Sequence, residues 1–194
     1  MEYDSDQTTI KMIKRFAEFN DKIVLEIGCG DGKISYSLSN STQQYFGVDI
    51  DETAINCAIR AYKNVDFRIG SGESLEFADS QFDLVLFTFS LHHQNSELAL
   101  KEADRVLKSD GNLLIIEPSI RGEFQQFFHL FDDETHEIQT AYKNLIKSSF
   151  TLGHKDSFNV SVIFQDRTDL CTYPFGREKI RSKDADLIIN KLNQ

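Results

Sequence analysis

Val24-Leu25-Glu26-Ile27-Gly28-Cys29-Gly30-Asp31-Gly32 is a short apolar run that breaks into glycines at alternate positions. The run from Lys22 to Ile27 reads as a strand, and the residues after the glycines, through Leu38, read as the start of a helix. A strand that enters a helix through such a turn lets the backbone pass close to a ligand, where a Cβ would collide with it. The first amides of the helix point into the turn, and those donors suit a carboxylate or a phosphate equally well. The dinucleotide fingerprint needs G-x-G-x-x-G, yet here Gly32 arrives one residue early and Lys33 fills the slot. Glu26, two residues before the first glycine, adds a negative charge that is unwelcome beside a pyrophosphate and useful to a cationic ligand. A nicotinamide dinucleotide is therefore the runner-up.

Outward from the turn, strands and helices alternate, which implies a parallel sheet. Tyr45 to Val48 reads as a strand ending in Asp49, Glu52 to Tyr62 as a helix, and Val65 to Ile69 as a strand. Phe82 to Phe89 is apolar without alternation, as expected of a strand buried on both faces. A helix over Glu97 to Leu107 and a strand over Leu113 to Ile116 follow. Upstream, Asp6 to Phe19 has Ile10, Ile13, Phe16 and Ala17 at helical spacing, so residues 1–21 should carry an N-terminal helix. Downstream, Glu123 to Ser148 reads as one or two helices, Val160 to Phe164 as a strand, Leu170 to Phe175 as a strand or a short helix, and Asp184 to Leu192 as a terminal helix. Asp49, at the end of its strand, stands where a carboxylate can accept hydrogen bonds from both hydroxyls of a ribose. A nucleoside ligand is implied.

Taken together, VLEIGCGDG, the following FGVDI, Glu73 to His93 (ESLEFADSQFDLVLFTFSLHH) and Arg105 to Pro118 (RVLKSDGNLLIIEP) resemble, in order, the motifs of class I S-adenosylmethionine-dependent methyltransferases. The resemblance extends from about Lys22 to Glu117. It implies an α/β fold: a Rossmann-like, doubly wound sheet of about seven mostly parallel strands with helices on both faces. It also implies S-adenosylmethionine as cofactor, released as S-adenosylhomocysteine. By that resemblance Glu26, Gly28, Cys29 and Gly30 lie along the amino-acid end of the cofactor, with Cys29 a spacer. Asp49 holds the ribose, and Ile50 packs on the adenine or in ordinary core. Ser71, Gly72 and Glu73 stand where the family usually has an Asp that accepts from the adenine amino group. Thr88 matches a position at the cofactor's methionine end. Asp110-Gly111 replaces the family's usual Pro-Gly turn, and serves as a turn equally well.

Length and charge set the outer bounds. The 194 residues, 40% of them hydrophobic, suit one domain over 1–194, with 119–150 as a helical cap on the substrate side. The 31 acidic residues outnumber 21 basic ones, for a net charge of −10, which disfavours a nucleic-acid partner. Cys29, Cys57 and Cys171 are too few and scattered for a disulfide framework or a zinc site, and no metal is expected. No apolar run reaches the roughly 18 residues of a membrane span, and the N-terminus has no signal-peptide pattern. A cytoplasmic protein is expected.

Methyl transfer from a sulfonium mainly requires alignment of the acceptor, and a base only where the acceptor must lose a proton. His92 and His93, just past the Phe82–Phe89 strand, are the candidate bases. Phe89-Ser90-Leu91-His92 occupies the place of the N/D-P-P-Y/F signature of amino-nitrogen methylation, and the Pro-Cys of cytosine C5 enzymes is missing as well. A small-molecule acceptor is favoured, its pocket lined by Phe124, Phe127, Phe128 and Phe131, unless these are plain core. The alternatives are a cofactor-binding module without catalysis and a tRNA or protein methyltransferase. The oligomeric state is not legible in the sequence.

Overall fold

The computed structural model describes residues 2–122, 125, 133–165, 174–175 and 178–179. The chain divides into two compact units, one of Ile10–Glu117 with Glu137–Asp156, the other of Met1–Thr9, Pro118–His136 and Ser157–Gln194.

The first unit is built on a parallel sheet. In chain order the elements that form or flank it are α1 (Thr8–Phe16), β2 (Ile23–Ile27), α2 (Lys33–Ser39), β3 (Gln44–Asp49), α3 (Glu52–Ala61), β4 (Asp66–Ile69), β5 (Phe82–Thr88), α4 (Ser96–Val106) and β6 (Leu107–Ile116); β1 (Glu2–Tyr3) precedes them. The strand order is β4-β3-β2-β5-β6, every pair parallel. Since parallel crossovers are right-handed, β2-α2-β3-α3-β4 winds to one side and β5-α4-β6 to the other. The sense of winding reverses between β2 and β5, and ligands of such sheets bind outside the carboxyl ends of the strands at that point. Both strands end at candidate site residues.

The central strands are apolar because both of their faces are covered. Val24, Leu25 and Ile27 of β2 and Leu84, Val85, Leu86 and Phe87 of β5 are all buried. Helix α3 starts on Asp51, whose side chain accepts from the Thr53 and Ala54 amides, and α4 starts on Asn95, which accepts from Leu98 N. Phe46, Phe77 and Phe82 meet edge to face at 5.0 to 5.5 Å, with the Arg68 guanidinium above Phe46 and Phe77. Strand β6 begins six residues earlier than the sequence pattern suggests. Leu107 pairs with Phe82 and Asn112 with Leu84, so the residues around Asp110-Gly111 bulge out of the register.

Helix α5 (Thr135–Lys147) contributes Ala141 to the core cluster that also holds Ala99 and Leu100 of α4, and packs the partly buried Leu145 against it. Asn144 Nδ2 donates to Ser96 Oγ at 2.9 Å, so this part of the 119–150 segment lies against α4. Phe124, Phe127, Phe128 and Phe131, the expected pocket walls, lie outside the described residues, as do the terminal helix and Cys171.

In the second unit β1 pairs antiparallel with β7 (Val162–Ile163), and β8 (Pro174–Phe175) with β9 (Glu178–Lys179). Among the described residues the sheet of about seven strands expected from the Rossmann pattern is a five-stranded parallel sheet, and the strand read at Val160 to Phe164 joins the N-terminus instead. Alternation marked that segment as extended, but nothing local could name its partner.

Candidate functional site

The turn after β2 is left-handed at all three glycines, with φ of 77°, 53° and 78° at Gly28, Gly30 and Gly32. The amides of Gly28 and Cys29 donate to Val48 O at 2.7 and 3.1 Å, which pins the turn beside the end of β3. An ideal Cβ on Gly28 would overlap Ser90 Cβ and stand 2.8 Å from its Oγ, so glycine there is a packing requirement. A Cβ on Gly30 would meet nothing within 4 Å. The turn has open space on that side.

Asp49 borders the same space. Its Oδ2 accepts from Gly30 N at 2.7 Å and its Oδ1 from Asp51 N at 2.9 Å. Each oxygen has a further lone pair, the acceptor set that a vicinal diol asks for. Next in sequence, Ile50 is 74% exposed, which rules out the ordinary-core reading and leaves an apolar side chain at the rim.

Glu26 lies beneath the turn with 0% of its surface exposed. Its Oε2 accepts from Ser35 Oγ at 2.6 Å and from the Tyr45 hydroxyl at 3.0 Å, and its Oε1 accepts from Thr88 Oγ1. Three hydroxyls from α2, β3 and β5 therefore converge on one carboxyl of β2. Burial lifts the Glu26 carboxyl above its usual range, although the Ser35, Thr88 and Tyr45 hydroxyls favour the charged form. The same interior pushes the Cys29 thiol up, through burial and the neighbouring Glu26 and Asp49 charges. A thiol held protonated is a poor nucleophile, in keeping with Cys29 as a spacer. Cys29 and Cys57 are free, and Cys29 Sγ fills the space a Cβ on Gly47 would need.

Ser71, Gly72 and Glu73 form a tight loop after β4. Ser71 Oγ accepts from Glu73 N at 3.1 Å, and Ser74 N donates to Ser71 O at 3.2 Å. The Glu73 carboxylate accepts from Asn95 N at 2.8 Å and so ties the loop to the start of α4.

At the end of β5, Thr88 is committed to Glu26, and Ser90 Oγ donates to Ile27 O at 2.6 Å. A short 3₁₀ turn, Leu91–His93, carries the two imidazoles. His92 is 4% exposed, and its Nδ1 meets Glu117 Oε2, while Glu117 Oε1 accepts from Leu91 N at 2.9 Å. In the neutral imidazole a carboxylate at Nδ1 makes that nitrogen the donor and Nε2 the basic one. His93 is exposed, its ring centroid 3.9 Å from that of His92.

The structure thus brings Gly28, Gly30 and Asp49 together, joins Glu26 to Thr88, and sets His92 and His93 side by side. Sequence reasoning missed Ser35, Tyr45 and Glu117 as partners. The signal for Glu117 was its place just after an apolar strand and before Pro118; Ser35 and Tyr45 offered no local signal.

A reversing parallel sheet with a glycine turn and an acidic residue at the end of the next strand is an arrangement of nucleoside-binding α/β folds, class I S-adenosylmethionine-dependent methyltransferases among them. A model of the methyltransferase domain matches residues 25–115. The chain is 32% identical over 171 residues to the uncharacterized methyltransferase YcgJ of Bacillus subtilis (strain 168), a match over 80% of this chain and 68% of that protein. The chain belongs to this methyltransferase family. It is also 31% identical over 118 residues to demethylmenaquinone methyltransferase of Lactococcus lactis subsp. lactis (strain IL1403), over 56% of this chain and 47% of that protein. The crystal structure of YcgJ superposes with a TM-score of 0.57 at 29% identity, over 64% of this chain and 57% of that one. The protein is an S-adenosylmethionine-dependent methyltransferase enzyme. The open side of Gly30, the Asp49 acceptor pair and the exposed Ile50 fit such a cofactor, and no described helix is long and apolar enough to cross a membrane.

Proposed function

We propose that this enzyme methylates a small-molecule acceptor, with the cofactor held along the glycine turn. Gly28, Cys29 and Gly30 would give the backbone approach, Asp49 the ribose acceptors, and Ile50 the apolar contact for the adenine. Ser71, Gly72 and Glu73 would close the adenine side. Glu26 and Thr88 would act from beneath the turn, along the cofactor's amino-acid end. When bound, the cofactor would supply an electrophilic methyl carbon to the acceptor's lone pair, with the electron pair of the S–C bond left on a neutral sulfur.

The observation that carries the acceptor side is the His92–Glu117 pair at the carboxyl end of β5 and β6. Glu117 orients His92, and the imidazole pair would take the proton of a hydroxyl or amine acceptor. Phe89-Ser90-Leu91-His92 in place of an amino-nitrogen signature, the net charge of −10, and a relative whose name gives a quinone acceptor all support a small metabolite. The charge balance argues against nucleic acid, and three scattered cysteines suit a reducing cytoplasm. Labelled cofactor incubated with the protein and a metabolite library tests this. Transfer to at least one small acceptor is expected; tight cofactor binding with no transfer would favour a non-catalytic module, and transfer only to tRNA or protein would overturn the acceptor class.

A further inference from the structure

Backbone strain at the site falls on Phe89, which has φ 57° directly after β5. That left-handed conformation is disfavoured for a bulky L-residue, and a chain that needed only the bend would be served by Gly or Asn. The bend itself is fixed by the Phe89 amide, which donates to Ile116 O at 2.8 Å. Its neighbours face inward and are committed, Thr88 to Glu26 and Ser90 to Ile27 O beneath Gly28.

The ring of Phe89 has no such commitment among the described residues. It is half-buried, yet it joins none of the ring pairs, and it is not among the partly buried apolar residues packed on the core cluster, which are Ile23, Phe77, Leu113, Ile115, Leu145 and Phe150. Strain that neither the turn nor the core of the described residues requires is characteristic of a side chain held for a ligand. Phe89 stands at the point where the sheet reverses, and the His92–His93 pair follows three residues on.

We infer that Phe89 is a wall of the acceptor pocket and selects a planar, aromatic acceptor, whose ring lies against the Phe89 face with its hydroxyl toward the imidazole pair. Offset or edge-to-face contact with a phenyl ring favours a flat, polarisable acceptor over a puckered one of the same size. The inference rests on the small-molecule reading proposed above.

The test uses the full chain with Phe89→Gly, Phe89→Asn and Phe89→Tyr, and two probes of similar size, 2-naphthol and its saturated counterpart 2-decalol. Melting temperature, S-adenosylhomocysteine affinity and probe affinity on the S-adenosylhomocysteine-loaded protein are measured for each. The wild type should bind 2-naphthol more tightly than 2-decalol. Phe89→Gly and Phe89→Asn should melt at or above the wild-type temperature, bind S-adenosylhomocysteine within about twofold of wild type, and bind 2-naphthol about tenfold more weakly, whereas Phe89→Tyr retains it. Lower melting temperatures in both the Gly and Asn variants would make Phe89 a packing residue and overturn the inference. Weakened S-adenosylhomocysteine binding alone would make it a cofactor contact and overturn the inference as well. Equal binding of the two probes by wild type, or none, while S-adenosylhomocysteine binds, defeats the aromatic-acceptor inference and leaves the cofactor site standing; failure to bind S-adenosylhomocysteine removes both.

Discussion

Gly28 lies directly over Ser90, so close that a methyl group at residue 28 would overlap the serine Cβ, whereas Gly30, two residues on, faces open space. The two glycines therefore separate packing from binding. Gly28→Ala should cost about 2 kcal/mol or more of folding stability, since overpacking adds to left-handed strain. Gly30→Ala carries the strain alone, about 1–2 kcal/mol, and its extra methyl group enters the space next to Asp49. Urea unfolding and calorimetric titration with S-adenosylhomocysteine distinguish the two: the Gly28 variant should lose mainly stability and the Gly30 variant mainly affinity. The reverse pattern would mean that the cofactor does not use the open side of the turn.

Burial raises the Glu26 carboxyl, and this fixes a sign for the pH dependence. Where the folded value lies above the unfolded one, the folded state holds a proton that the unfolded chain has already released, so stability falls as pH rises through that window. Glu26→Gln removes the penalty while leaving an amide among the Ser35, Tyr45 and Thr88 hydroxyls. The gain in melting temperature over wild type should be small near the ordinary carboxylate range and grow toward neutral pH. Scans across that range check it; a gain that shrinks with rising pH would show that Glu26 is stabilised as the carboxylate.

Arg105 clamps the loop that follows Ser71, Gly72 and Glu73. Its guanidinium donates to Leu75 O at 3.0 Å, Phe77 O at 2.8 Å and Asp79 Oδ1 at 2.8 Å, and pairs twice with Glu102, which in turn accepts from Leu75 N at 2.7 Å. The Glu102 and Asp79 partners hold its proton more firmly than usual. Arg105→Leu leaves two backbone carbonyls without their donor, and amide exchange in Ser71–Phe77 should accelerate about tenfold, the scale of one lost hydrogen bond to a charged group. Unchanged exchange there would mean that α4 does not hold the loop.

Much of the fold was legible because parallel strands buried on both faces are apolar throughout and glycine and proline punctuate them. The strands of the five-stranded sheet and helices α2 to α4 fall within a few residues of their sequence-based positions, apart from the start of β6. The pairing of Tyr3 with Val162 was illegible, because two short strands far apart in sequence carry no register in their own residues. The site divides the same way. Gly28, Gly30 and Asp49 announce themselves by a left-handed turn and a charge at a strand end. Ser35, Tyr45 and Glu117 matter only through a partner on another element, and a hydroxyl inside an apolar pattern gives no hint of the carboxyl it will meet.

The central claim, that the carboxylate of Asp49 holds the cofactor's ribose beside the Gly30 turn, is tested most directly by calorimetry with S-adenosylhomocysteine on wild type and Asp49→Ala. The wild type should bind, and the variant should bind about 1.5–3 kcal/mol more weakly, the scale of lost hydrogen bonds to a charged acceptor. Equal affinity of the two folded proteins would contradict the assignment.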